Sequence, residues 1–271
     1  MPEPVERPPI SGAPLSVILL GDGQPSDRDE VVAAWGRFLD SIKRDHEILL
    51  VDAASAGPPP SSESCPALRF VALEANASPG AALRAGIAAA RHPLLFYTTA
   101  NKDFQPNDLQ LLLDRIDKVE LVTGYRVWRT RPSWLIWLDR VHRLLLRVLL
   151  GMSREPRTSW LGWRGLGRRL LARWVFGVHV QDPECPFRLF RRAIFECMPL
   201  QCDGPFVHAE VLAKANFLSC WMSEVPVTWL PAAKASPDPA QARRTRAEII
   251  RLFRAPEFRT PASVPVAPSG C

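Results

Sequence analysis

From Leu15 to Gly124 short apolar runs alternate with segments of helical period, and few architectures accommodate that alternation. The runs Leu15–Leu20, Glu47–Asp52, Arg69–Leu73, Leu94–Thr98 and Glu120–Gly124 read as strands. Between them Glu30–Arg44 places Val31, Ala34, Trp35, Phe38 and Ile42 on one helical face. Gly80–Ala90 is an alanine-rich helix in which Gly86 permits close approach to a sheet, and Asp108–Ile116 is a helix opened by Pro106 and Asn107. The pattern predicts an α/β fold with a mostly parallel central sheet flanked by helices. In such sheets ligands collect beyond the carboxyl ends of the strands, so the residues just after each strand are the ones to inspect.

The chain of 271 residues is 47% apolar, enough for a substantial core. Residues 1–14, with five prolines, and the Pro/Arg-rich stretch from about Pro231 to the end read as mobile, leaving 15–230 as the folded unit. The net charge of +6 suits phosphate-bearing ligands or an anionic membrane surface. Cys/His finger spacing, an RNP-like aromatic run and a basic heptad array are all missing, which argues against nucleic acid as a partner. Six cysteines without a C-x-x-C pair, and no secretory leader before them, point to reduced thiols in a cytoplasmic protein and against structural zinc. Apolar stretches are broken by charge well short of the ~20 residues that span a bilayer.

Several strand ends carry polar residues. Asp52 closes the second strand, where a carboxylate accepts hydrogen bonds from a base or ribose, or serves as an ordinary turn aspartate. Asn76 and Gly80 bracket a helix start, a position suited to phosphate but also common in plain turns. Thr99, Ala100, Asn101, Lys102 and Asp103 follow the fourth strand, and either form a polar turn or present oxygen ligands and an ammonium to a diphosphate. His208, two residues before Glu210, cannot share its helix face, which argues for a packed or surface histidine rather than a metal pair. The segment 134–176 interleaves Trp and Leu with Arg, the pattern of an amphipathic helical insertion that lies on a membrane surface, packs on the sheet or meets another subunit.

Six segments taken in order resemble the family 2 glycosyltransferases, in particular the dolichol-phosphate mannosyltransferase-like branch. EILLVDAASAG is similar to the family's EIIVVDDGSTD, with Asp52 keeping the first acid and Ala53 and Ala54 replacing the second acid and the glycine. NASPGAALRAGIAAA resembles NxGxGxAxxxG, and LLFYTTANKDFQP resembles the strand that carries a metal-binding Asp-x-Asp, here degenerate, with Thr99 and Asn101 in place of the acids. VQDPECPFRLFRR resembles D-x-x-C-G-F-K through Asp182, Cys185, Phe187 and Arg188, while FVHAEVLAKAN and EVPVTW place Glu210 at the family's acidic position. A further departure is Ala232, where relatives often carry an arginine.

The resemblance implies a GT-A fold, a nucleotide-sugar donor (a UDP- or GDP-sugar) and inversion at the anomeric carbon. It implies that Asp52, Asn76, Arg84, Ala100 and Asn101 hold the nucleotide sugar, and that Asn101 and Asp103 hold Mg²⁺ or Mn²⁺. Asp182 and Glu210 are then the catalytic acids and Arg188 an acceptor-binding cation, for a polyprenyl-phosphate or glycan acceptor. A cytoplasmic protein, peripheral at the inner face of the membrane through 134–176, is the expected setting. Replacement of the metal-site acids keeps open the alternative of an inactive GT-A domain that binds a nucleotide or a partner.

Overall fold

The computed structural model describes residues 10, 12–21, 28–53, 67–74, 77–128, 180–230, 247–252 and 254–259. Its elements run β1 (Leu15–Leu20), α1 (Arg28–Ser41), β2 (His46–Ala53), β3 (Leu68–Leu73), α2 (Pro79–Ala89), β4 (Leu94–Thr99), a 3-10 turn (Pro106–Asp108), α3 (Leu109–Leu113) and β5 (Leu121–Trp128). After residues outside the described set come β6 (Arg188–Arg191), α4 (Ala193–Cys197), α5 (Val207–Phe217) and β7 (Met222–Trp229). The strands form one seven-stranded sheet in the order β3-β2-β1-β4-β6-β5-β7. β1 pairs parallel with β2 and β4, β2 with β3, and β5 with β7, whereas β6 runs antiparallel to both β4 and β5. The expected mostly parallel α/β sheet is therefore present, with one reversed strand inside it.

Two apolar layers cover the two faces. On one, Val31, Val32, Trp35 and Leu39 of α1 and Leu109, Leu112 and Leu113 of α3 pack over Leu15, Val17, Leu19 and Phe96. Trp35 stands 5.3 Å from the Phe96 ring, which meets Phe187 edge-on at 4.7 Å. The stripe of α1 is thus rotated from the expected one: Leu39 is fully buried, while Ala34 and Phe38 are half-buried. On the other face α2, α4 and α5 cover Ile18, Leu49, Val51, Tyr97 and Phe190. Burial on both faces explains why β1 and β4 read as largely apolar runs rather than alternating ones.

α2 begins with Ser78 as N-cap, its hydroxyl accepting from Ala81 N–H, and with Pro79 at the first helical position. Gly86 lets this helix lie against the sheet, since a Cβ there would sit 2.5 Å from Ile18 Cγ2 and 3.2 Å from Val51 Cγ2. Gly86→Val is expected to cost about 1–3 kcal/mol through overpacking, read as a fall in the urea midpoint at unchanged slope. An unchanged midpoint would show that α2 is free to lift.

Two sequence expectations need adjustment. The helix expected over 108–116 is a 3-10 turn followed by the single short helix α3, with turns from Asp114 to Lys118. Part of the tail expected to be mobile is docked instead: the helical residues 247–252 place Leu252 in the second core layer, and Phe258 meets Phe217 edge-on at 6.2 Å. Near the other end, Ile10 N–H donates to Asp117 at 2.7 Å. The amphipathic insertion expected over 134–176 lies outside the described residues. No described helix is long and apolar enough to cross a membrane.

Candidate functional site

Strand register brings the carboxyl ends of β1, β2 and β4 level. Leu20 pairs with Val51 on one side and Thr99 on the other, and just beyond them Gly21 N–H donates to Val51 O and Ala100 N–H to Leu20 O. Gly21, Asp52 and Ala100 therefore share one edge. A Cβ at Gly21 would run into the Asp52 carboxylate and force that side chain to move. Asp52 is buried beneath this edge and pairs at 3.3 Å with Arg28, itself buried at the first turn of α1.

Beyond β4 the chain makes a hydrogen-bonded polar turn. Asn101 Oδ1 accepts from the Thr99 hydroxyl at 2.9 Å and from Asp103 N–H at 3.1 Å, while Asn101 Nδ2 donates to Asp103 Oδ2 at 3.1 Å. Asn101 thus fixes the Asp103 carboxylate through its amide, where a second carboxylate would have repelled it. Lys102 pairs at 2.7 Å with Glu30 of α1, both well exposed. Asp103 O accepts from Leu230 N–H, tying this turn to the end of β7.

The expected acceptor-side residues divide. Asp182 is buried and held bidentately by Arg126, Nε to Oδ2 at 2.6 Å and Nη2 to Oδ1 at 2.9 Å, and Arg126 lies 5.1 Å above the Trp229 ring. Burial works against the guanidinium charge, yet Asp182 holds the Arg126 pKa above its ordinary value. Arg188 and Glu210, by contrast, are both fully buried. Arg188 donates to Thr123 Oγ1 at 3.1 Å and to the carbonyls of His208 and Pro183, so its fork stitches β6 to β5 and α5 instead of facing an acceptor. Glu210 accepts from Gln201 N–H at 2.7 Å and Cys202 N–H at 2.8 Å, and pairs with Lys214 one turn along α5 at 2.8 Å. With its oxygens held inside the core, Glu210 has the surroundings of a structural clamp.

Arg84 also points elsewhere. It pairs with Asp203 and donates to Cys202 O at 3.1 Å, fastening α2 to the loop before α5. The first-turn N–H of Gly80 donates to Asp203 O at 2.8 Å, and a Cβ on Gly80 would strike Cys202 O. The loop therefore covers the helix end that the sequence offered to phosphate. Asn76 lies outside the described residues. Of the two expected settings, packed or surface, His208 has the packed one, stacked on Tyr97 with Nδ1 3.1 Å from the phenol oxygen. Burial, then the charges of Arg188 and Arg126, lowers its pKa to about 3.

Sequence reading missed Gly21, Arg28 and Arg126. Gly21 and Arg28 meet Asp52 only once β1 and β2 are paired. Arg126 lies 56 residues from Asp182, a separation that no local pattern reveals. An open groove of about 530 Å³ between α1 and the turn after β4, lined by Ala34, Phe38, Gln105 and Pro106 among others, contains none of the candidate residues. Among the described residues no group of three or more His, Cys, Asp or Glu side chains could hold a metal ion.

The family model described as Glycosyl transferase family 2 matches residues 29–198. No curated protein sequence matches the chain. Among solved structures, glucosyl-3-phosphoglycerate synthase from Mycobacterium tuberculosis in complex with uridine diphosphate is similar at 17% identity and TM-score 0.60, over 92% of this chain and 83% of that one. The same enzyme with Mn²⁺, UDP-glucose and phosphoglyceric acid matches at 17% identity and TM-score 0.57, over 92% of this chain and 82% of that one. Its complex with Mg²⁺ and uridine diphosphate matches at 16% identity and TM-score 0.58, over 90% and 80%. These likenesses establish the GT-A nucleotide-diphospho-sugar transferase fold. With its family model covering well over half of the sequence and its sheet edge built as described, this chain belongs to glycosyl transferase family 2.

Proposed function

We propose that the protein transfers a sugar from a nucleotide-diphosphate donor, a UDP- or GDP-sugar, to a lipid-phosphate or glycan acceptor with inversion. The observation that carries this reading is the convergence of Gly21, the Asp52–Arg28 pair and the Thr99–Asn101–Asp103 turn at one sheet edge of a family 2 chain. Asp52 and Arg28 together offer an acceptor and donors to the base or ribose. In the transfer, the bond from the anomeric carbon to the diphosphate oxygen breaks, its electron pair leaves with the nucleoside diphosphate, and an acceptor oxygen bonds from the opposite face. A phosphate acceptor is already anionic and needs no base; a hydroxyl acceptor would give its proton to a carboxylate, for which Asp182 is the candidate, oriented by Arg126.

The solved relatives hold Mn²⁺ or Mg²⁺ with uridine diphosphate. Here the Asn101 oxygen already accepts two hydrogen bonds, so Asp103 is the fitting ligand and Asn101 the residue that positions it. Hard cations are commonly held by one or two carboxylates plus substrate phosphates and water, a set that Asp103 could complete only with the donor present. Such a cation would neutralise charge growing on the leaving diphosphate.

Titration calorimetry with UDP and GDP, each with and without Mn²⁺, tests the reading. Binding of one nucleotide strengthened about tenfold or more by Mn²⁺, with that gain lost in Asp103→Asn, is the expected result. Hydrolysis of the matching sugar nucleotide is the second readout. Failure of the folded protein to bind either nucleotide would end the proposal.

A second reading is a GT-A domain that binds a nucleotide or partner without turnover. It is favoured by Thr99 and Asn101 standing where acids would be, which leaves Asp103 as the only carboxylate of that turn. Nucleotide binding indifferent to Mn²⁺, with no donor hydrolysis, would select it. The resemblance to the dolichol-phosphate branch and the Trp/Arg pattern of 134–176 support a lipid-linked acceptor reached from the cytoplasmic membrane face. Sedimentation with anionic vesicles that weakens with salt is the corresponding test.

A further inference from the structure

The loop between α4 and α5 presents four consecutive backbone donors, and all four are taken by carboxylates. Gln201 and Cys202 give theirs to Glu210, as described above. Asp203 N–H and Gly204 N–H both point at Glu248 Oε1, at 3.1 and 2.7 Å. The two carboxylates hold their places very differently. Glu210 is fully buried, lies on the eleven-residue α5 and pairs with Lys214. Glu248 is only half-buried and arrives from the helical residues 247–252, far along the chain; its other oxygen, Oε2, is shielded from solvent yet makes no hydrogen bond among the described residues.

The setting around Asp203 and Gly204 favours negative charge from three directions. Asp203 O accepts from Gly80 N–H in the first turn of α2, and Gly204 O accepts from Val207 N–H at the start of α5, so the positive ends of two eleven-residue helices converge on this dipeptide. The Arg84 guanidinium stands beside it on Cys202 O and Asp203. Gly204 admits the anion closely, because a Cβ would come within 2.8 Å of Glu248 Oε2. Adjacent backbone donors aimed at one oxygen, with helix dipoles behind them, make the concavity that oxyanions occupy in proteins generally.

We infer that the Asp203–Gly204 dipeptide is an anion-binding site in which Glu248 is an internal, displaceable ligand, and that a phosphate group of a small ligand takes its place. Among the described residues Glu248 leaves one oxygen without a hydrogen bond, whereas a tetrahedral phosphate offers additional acceptors that can reach Arg84 or water as well as the two amides. The inference stands on the loop geometry alone and does not require that the protein turn over a sugar nucleotide.

Calorimetric titration with inorganic phosphate, at ionic strength matched with chloride, separates the outcomes. Glu248→Ala should bind phosphate about tenfold more tightly than the wild type, while Glu248→Gln, which keeps a side-chain oxygen for the two amides, should stay near the wild type. Acetate in a parallel arm distinguishes phosphate from any carboxylate: equal binding of both would overturn the assignment to phosphate. Identical phosphate affinity in wild type and Glu248→Ala, or an effect that chloride alone reproduces, would overturn the site. Should Glu248→Ala not fold, amide exchange on the wild type decides. Phosphate is expected to speed exchange across 247–252 while leaving the Asp203 and Gly204 amides protected, and unchanged exchange across 247–252 overturns the proposal.

Discussion

Replacing Glu210 by alanine should destabilise this protein by about 3–5 kcal/mol, more than any other single change at the acidic positions. The carboxylate does three things at once: it faces the Lys214 ammonium at 2.8 Å and caps the N–H groups of Gln201 and Cys202. Without it, a fully buried ammonium keeps only the Pro199 carbonyl among the contacts described, and two backbone donors, that of Cys202 buried and that of Gln201 partly so, lose their acceptor. Breaking one partner of a buried pair is costly because the other charge stays behind. The double change Glu210→Gln with Lys214→Met removes both charges and should recover most of the loss, as an apolar replacement of a buried pair often does. Chemical denaturation of the three proteins provides the comparison. If Glu210→Ala unfolds like the wild type but abolishes sugar transfer, Glu210 is a catalytic acid and the clamp described here is incidental.

That contrast shows where sequence reading reaches its limit. The motif surrounding Glu210 is legible, because a family's late helix carries an acid at that position; whether the acid meets substrate or backbone depends on how the loop 200–204 folds over α2. Arg188 poses the same difficulty. As a residue following Phe187 it reads as a free cation, but β6 runs antiparallel between β4 and β5 and turns its side chain inward to Thr123 and the His208 carbonyl. A four-residue strand with a buried arginine has no periodicity that would announce it. The parallel strands were legible for the opposite reason, since burial on both faces writes them as continuous apolar runs.

The proposed donor edge was readable in part. Asp52, Ala100, Asn101 and Asp103 stand where strand ends were expected, because a strand followed by polar residues has only one place to put them in a parallel sheet. Their partners were not readable. Arg28 reaches Asp52 across 24 residues, and Asn101 serves as the acceptor that orders Thr99 and Asp103, a role that its amide makes possible but does not dictate.

Lowering the pH from 6.5 to 5 should cost the wild type about 2 kcal/mol through His208 alone. The imidazole is enclosed between Tyr97 and the Arg188 layer, so burial and then the neighbouring guanidinium charges hold its pKa near 3 in the folded protein, against an ordinary value of 6.5. The unfolded chain therefore binds a proton that the folded one refuses, and stability must rise with pH between those two values by about 1.4 kcal/mol per unit. The stabilisation is complete above 6.5 and drains away as the pH falls toward 3. Restricting the measurement to pH 5 and above keeps it clear of Glu47, whose lowered pKa adds its own acid sensitivity further down; Glu224, whose pKa burial raises, takes up native-state protons as the pH falls and acts in the opposite direction, equally in both proteins. His208→Gln keeps a polar group opposite the Tyr97 hydroxyl without a titrating one, so urea midpoints of that variant should be nearly flat from pH 7.5 to 5. An equal fall in both proteins would mean that His208 protonates in the native state, and that Tyr97, Arg188 and α5 enclose it far less tightly than their geometry requires.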